Sequence, residues 1–173
     1  MSEILLNRLL RSKSAQTREL DKNSVNLLWL VIATSITAAV IISIYFSFPI
    51  AGSIWISYAG ILLILCGILI RFIAIKTLGT FFTVNLSVEG DQKIIKSGMY
   101  KYIRHPSYTG SLLSFLGLGV SLNNWISLAV IFVPVLIAFI YRMGIEEKML
   151  IKHSGPEYEA YMKETKRLIP KIY

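Results

Sequence analysis

Apolar residues fall into four runs separated by charged segments. Residues 25–48 carry no charged side chain over 24 positions and end at Pro49. A helix needs only about 20 such residues to cross the hydrocarbon core of a bilayer. A second run covers 53–70 and continues past Arg71 to residue 75, and the intervening Pro49, Ile50, Ala51 and Gly52 suit a tight turn. These two runs predict a first hairpin. Residues 107–122 and 125–141 predict a second, broken by Asn123 and Asn124. One unbroken helix over those 35 residues would be about 52 Å long, against a core of about 30 Å. Two helices joined by an Asn-Asn turn fit better, with a kink expected at Pro134 in the second.

The charges give this pattern an orientation. Every one of the 18 Lys and Arg residues lies in 1–24, 71–104 or 142–173, and the turns at 49–52 and 123–124 have none. Basic segments stay on the cytoplasmic side, so both termini and the central loop are expected inside. The net charge of +8 is thereby read as membrane topology, which excludes nucleic acid as its partner. Composition agrees: 54% of residues are hydrophobic and 16% charged, where a soluble domain carries about 25% charged. The only cysteine, Cys66, sits in an apolar run. Neither a disulfide framework nor a cysteine metal site is expected. The first 20 residues lack the apolar length and small-residue cleavage site of a secretory signal.

The expected fold is all-α: a polytopic integral membrane protein of four transmembrane helices in two hairpins, over residues 1–173 as one domain. Residues 1–24 would form a cytoplasmic amphipathic helix on the membrane surface, with Ile4, Leu5, Leu6, Leu9 and Leu10 beside Arg8 and Arg11. Then come the first hairpin (25–75), a cytoplasmic loop (76–106), the second hairpin (107–141) and a charged C-terminal helix (142–173).

Polar residues with chemical potential flank the second hairpin. Gly98 to Gly110 leads into it and includes Tyr100, Tyr102, Arg104, His105, Pro106 and Tyr108. Each has an ordinary structural role: Pro106 starts a helix, Arg104 snorkels, and the tyrosines belong to the interfacial belt. At the other end, Arg142 and Glu146 are four apart on one helical face, directly beyond an apolar span. An interfacial ion pair is the plain reading. A hairpin, however, gathers His105, Tyr108, Arg142 and Glu146 in one neighbourhood, where a helix N-terminus also offers N–H groups to an anion. That convergence suits a zwitterionic ligand.

From Arg71 to Pro170 the sequence resembles the isoprenylcysteine carboxyl methyltransferases. The resemblance rests on Leu78-Gly-Thr-Phe-Phe-Thr83, Ile94-Ile-Lys-Ser-Gly-Met-Tyr100, Arg104-His-Pro-Ser-Tyr-Thr-Gly110, Glu146-Glu-Lys-Met-Leu150, Gly155-Pro-Glu-Tyr-Glu-Ala-Tyr161 and Arg167-Leu-Ile-Pro170. It implies methyl transfer from S-adenosylmethionine within a membrane. The family's cofactor-binding positions carry over to Asn85, Gln92, Lys93, Ile94, Ile95, Tyr100, His105, Pro106, Ser107, Tyr108 and Glu146. Asn85 departs from relatives that have glutamine there. Arg142 matches the arginine that faces the methyl acceptor. Glu146 would take the cofactor's ammonium and His105 with helix N–H groups its carboxylate, while Ile94, Ile95 and Tyr100 would line an adenine slot. No Gly-rich loop of the soluble nucleotide-binding type is present.

A carboxylate acceptor is already ionised at neutral pH and needs no base. An amine or thiol does, and Glu147 is then the nearest candidate. The leading expectation is O-methylation of a prenylcysteine or similar lipid-like carboxylate. A phospholipid amine, small thiol or other isoprenoid acceptor is the alternative, and a non-catalytic membrane protein is the reading from another class. Membrane lipids are the other expected partner. The compact size suggests a prokaryotic cytoplasmic membrane, or the endoplasmic reticulum in a eukaryote.

Overall fold

The computed structural model describes residues 2–79 and 94–173, with side chains from residue 22 onward. The described residues form five α-helices: α1 (Ser2–Tyr45), α2 (Trp55–Leu78), α3 (Pro106–Ser121), α4 (Trp125–Ser154) and α5 (Pro156–Glu164), with a 3-10 turn at Gly98–Lys101. Three of them are long and apolar enough to cross a membrane: α1 over Lys22–Tyr45, α2, and α4. Their exposed side chains are large and apolar, as with Trp29, Leu62, Phe72 and Ile137, the pattern of helices that face lipid. The chain is an integral membrane protein. At 16 residues, α3 spans about 24 Å.

Two boundaries differ from the hydropathy reading. The expected surface segment 1–24 is continuous with the first span, because α1 runs unbroken from Ser2. The C-terminal helix likewise does not begin at 142. Instead α4 continues through Pro134 and Arg142 to Ser154, and Gly155 at φ 51° turns the chain into α5. Pro156 in the first turn of α5 suits a helix start, where its missing N–H is not needed.

The pairing of helices departs from the first of the two expected hairpins, whereas α3 and α4 of the second do pack on each other. Helix α2 packs along α3, and α1 packs along α4 instead of along its sequence neighbour α2. Small residues make the α2–α3 contact close. Gly60 and Gly67 face Gly117 and Gly110, each pair seven residues apart, so the glycines recur on the contact face along both helices. A Cβ on Gly117 would lie 2.6 Å from the Gly60 carbonyl oxygen and 2.7 Å from the Ile64 nitrogen. Backbone cannot yield as a flexible side chain does. Gly117→Ala is therefore expected to destabilise the protein by about 1–3 kcal/mol through forced helix separation. Thermal melting in detergent measures this, with Gly144→Ala as a control whose Cβ meets nothing within 4 Å.

The turn residues Asn123 and Asn124 stitch these helix ends together. Asn123 Oδ1 accepts from the Ile50 and Ala51 N–H groups at 3.1 Å, and its Nδ2 donates to the Ala51 carbonyl at 2.9 Å. Asn124 caps α4 by accepting from Ile126 and Ser127 N–H while donating to the Phe46 carbonyl. Ser127 in turn donates to the Ala39 carbonyl on α1. These bonds satisfy backbone groups that would otherwise be stranded near lipid. The buried core behind them comprises Ile32, Leu112, Val135, Phe139 and Met143, closed at the opposite end by Leu168.

Candidate active site

At the end opposite those turns, the start of α3 meets the charged extension of α4. His105 is the residue before α3, and Pro106 occupies the helix's first turn. The chain at 165–168, extended at Thr165 and bridged at Lys166, then runs back over this mouth. Arg104 N–H donates to the Lys166 carbonyl at 2.7 Å, His105 N–H to the Arg167 carbonyl at 3.0 Å, and Lys166 N–H to the Tyr102 carbonyl at 3.1 Å. Thr109 Oγ1 adds a bond to the Leu168 carbonyl. The C-terminal segment is thus strapped across the helix entrance in parallel with residues 102–105.

Beneath the strap lies a buried charge cluster. Glu147 Oε1 accepts from Arg104 Nε at 2.9 Å and lies 3.3 Å from His105 Nε2. Its Oε2 accepts from Arg167 Nη2 at 2.7 Å and Nε at 3.0 Å. Burial alone would raise the Glu147 carboxyl, but hydrogen bonds from His105, Arg167 and Arg104 outweigh it and hold the pKa at about 2. The same carboxylate pushes the Arg167 guanidinium upward. Arg104 also donates through Nη1 to the Met162 and Thr165 carbonyls, satisfying the exposed end of α5.

Glu146, one residue earlier on α4, faces elsewhere. It is half-buried, and it accepts from the Tyr108 hydroxyl at 2.7 Å. The Tyr108 ring stacks on His105 with centroids 5.4 Å apart and meets Phe139 on its other side at 5.1 Å. Tyr100 is buried; burial first, then the nearby Glu146 and Tyr161, raise its hydroxyl well above the ordinary tyrosine range, and Arg71 works against them. Tyr161 OH donates to the Tyr100 carbonyl, which ties α5 to the same wall. Arg71 reaches across from α2, its Nη1 donating to Ser111 Oγ at 2.6 Å and Ser107 Oγ at 3.2 Å.

Most of the residues singled out from sequence therefore meet at one boundary: Tyr100, His105, Pro106, Ser107, Tyr108 and Glu146, with Ile94 and Ile95 half-buried on the chain that leads in. Asn85, Gln92 and Lys93 lie outside the described residues. Three placements differ in detail from the sequence reading. Arg142 is buried at 3% exposure, donates through Nη1 to Ser24 on α1 and lies beside the Tyr108 hydroxyl on α3. The α3 entrance offers fewer N–H groups to a ligand than a bare helix start, because His105 N–H is committed to the strap and Tyr108 and Thr109 N–H both bond the His105 carbonyl. Glu147 is not a solvated helix-end carboxylate; with its pKa held at about 2 it is a poor proton acceptor at neutral pH. Arg71, Arg104 and Arg167 belong to the same region and were not singled out as site residues. The sequence reading of Arg104 is a snorkelling cation, Arg71 marks only where the resemblance begins, and Arg167 only opens the last matched motif.

The profile of the phospholipid methyltransferase family matches residues 55–157, which covers all of α2, α3 and α4. The chain belongs to that family. Among individual relatives, protein-S-isoprenylcysteine O-methyltransferase B of Arabidopsis thaliana is 35% identical over 118 residues, 67% of this chain and 60% of the relative. The Saccharomyces cerevisiae protein-S-isoprenylcysteine O-methyltransferase is 39% identical over 116 residues, covering 65% of this chain and 48% of the yeast protein. In three dimensions the chain is similar to isoprenylcysteine carboxyl methyltransferase, the eukaryotic intramembrane Ras methyltransferase, with a TM-score of 0.68 and 26% identity over 83% of this chain and 52% of that one. The chain thus spans between about half and three fifths of the length of these relatives.

Proposed function

We propose that this family member is an S-adenosylmethionine-dependent methyltransferase that esterifies a lipid-borne carboxylate, of which a prenylcysteine is the simplest example. The observation that carries the reading is the division of labour between two adjacent glutamates. Glu146 is half-buried and accepts from the neutral Tyr108 hydroxyl, while Glu147 is sealed by cations. A cofactor with an ammonium, a carboxylate and an adenine fits the groups present. Glu146 suits the ammonium, Arg71 beside Ser107 supplies positive charge for the carboxylate, and Ile94, Ile95 and Tyr100 offer apolar and aromatic surface. When bound, that cofactor supplies a methyl group activated by its sulfonium.

The rest of the work falls to the chain. No proton has to be removed from an ionised carboxylate, and the locked state of Glu147 leaves that residue unsuited to deprotonating an amine or thiol. This favours the carboxylate acceptor over the alternatives. The roles left to the protein are alignment and exclusion of water. Arg142, at the end of the apolar part of α4, is proposed to hold the acceptor's head group while its tail stays in lipid. We further read all four long helices as spanning, with both termini and the 76–106 loop cytoplasmic, from the three-way clustering of the 18 Lys and Arg residues.

Purified protein incubated with methyl-labelled S-adenosylmethionine and a panel of acceptors tests the proposal. Label is expected as a base-labile ester on N-acetyl-S-farnesylcysteine, and not on phosphatidylethanolamine or a small thiol. Stable label on the phospholipid amine alone would overturn the acceptor class. Transfer to no acceptor would overturn methyl transfer itself.

A further inference from the structure

Glu147, Arg104 and His105 form a deeply buried ionic group joined by the more exposed Arg167, and the chemistry proposed above uses none of them. The side chains of Glu147, His105 and Arg104 are 3%, 4% and 8% exposed. Burying such a cluster is expensive, and well-packed apolar residues would often stabilise a fold as much or more. A role beyond stability has to be sought in what the cluster connects.

Its connections form one path from the C-terminal strap to the open glutamate. Arg167, on the strap, grips one oxygen of Glu147 through both Nε and Nη2. The other oxygen of Glu147 faces His105 Nε2. The His105 ring lies nearly parallel to Tyr108, at an interplanar angle of 12°. Tyr108 OH then donates to Glu146. Backbone pairing runs alongside, since the His105 N–H bonds the carbonyl of Arg167 itself. The strap therefore holds both the main chain and the ring of the residue on which Tyr108 stacks.

We propose that Arg167 is a positioning residue, and that the strap at 165–168 acts through Glu147 and His105 to set the orientation of Tyr108 and so the readiness of Glu146 for a cationic ligand group. The inference rests on the reading that Glu146 meets the ammonium of the methyl donor. Arg167 touches neither Tyr108 nor Glu146, so its effect is transmitted. Lysine in its place keeps the charge but not the two-nitrogen grip.

The test uses full-length protein in detergent, with His153→Gln as background so that His105 is the only histidine. Arg167→Gln is expected to raise the KM for S-adenosylmethionine about tenfold while leaving the acceptor KM unchanged, with Arg167→Lys recovering a large part of the loss. Modification of His105 by diethylpyrocarbonate, slow in the background protein because the ring is buried, is expected to accelerate in Arg167→Gln. That second readout needs no activity. A background protein without methyl transfer would fail the functional reading, while the histidine kinetics would still decide whether the strap holds the ring. Unchanged donor KM, equal losses in both KM values, or unchanged His105 reactivity would each overturn the positioning role.

Discussion

Replacing Glu147 with alanine is expected to lower stability by about 3–5 kcal/mol, the range for removing one partner from a buried ion pair. The variant would leave Arg104 and Arg167 facing each other with no anion between them, and His105 Nε2 without its carboxylate partner. Arg167 is 31% exposed and can turn toward water, which favours the lower part of that range. Acid provides an independent check on the sign. The carboxyl is depressed from 4.5 to about 2, so its contribution is fully present above pH 4.5 and fades as pH falls toward 2. The gap in melting temperature between wild type and Glu147→Ala is therefore expected to be constant from pH 7 to 5 and to close below 4.5. Melting followed by circular dichroism in detergent measures both. A variant that melts with the wild type at neutral pH would show that the cluster contributes no net stability.

The helices were legible in the sequence because hydropathy reports directly on lipid burial. Residues 53–75 and 107–122 correspond to Trp55–Leu78 and Pro106–Ser121 within the usual uncertainty of helix ends. Which helix packs on which was not legible. An apolar run looks alike on its lipid face and its protein face, so nothing in 25–48 announced that α1 would lie on α4. The glycines at 60, 67, 110 and 117 carried the α2–α3 contact in plain view, but only their seven-residue spacing on two helices marks them, and each alone is unremarkable in an apolar segment. The candidate site divides the same way. Tyr100, His105, Tyr108 and Glu146 come from segments that flank one helix pair, and their meeting follows from that pair alone. The strap depends on backbone pairing between 102–105 and 165–168, some sixty positions apart, which side-chain pattern does not encode. That is why the sequence offers Glu147 as a candidate base and Arg167 only as the start of a matched motif. Arg142 stands between these cases: its position at the end of an apolar helix was predictable, but its bond to Ser24 on α1 follows from the α1–α4 pairing.

Glu146→Gln is expected to weaken S-adenosylmethionine binding by roughly ten- to a hundredfold, the cost of about 1.5–3 kcal/mol for a charge-assisted hydrogen bond. The substitution keeps the length and an acceptor oxygen, so Tyr108 OH retains a partner and the fold has little reason to move. What it removes is the negative charge, the one property an ammonium requires and a tyrosine hydroxyl does not. Calorimetric titration in detergent reads the affinity, and thermal melting confirms an intact fold. Tyr108→Phe separates charge from orientation. It leaves the carboxylate and deletes the hydroxyl that steers it, together with that hydroxyl's contact with Arg142, so its effect should be smaller than that of Glu146→Gln. If Glu146→Gln binds the donor as the wild type does, the ammonium is met elsewhere, and the assignment of this carboxylate fails. If Tyr108→Phe costs as much as Glu146→Gln, steering matters as much as charge, because a carboxylate free to rotate into water at the membrane boundary is solvated there and no longer aimed at its ligand.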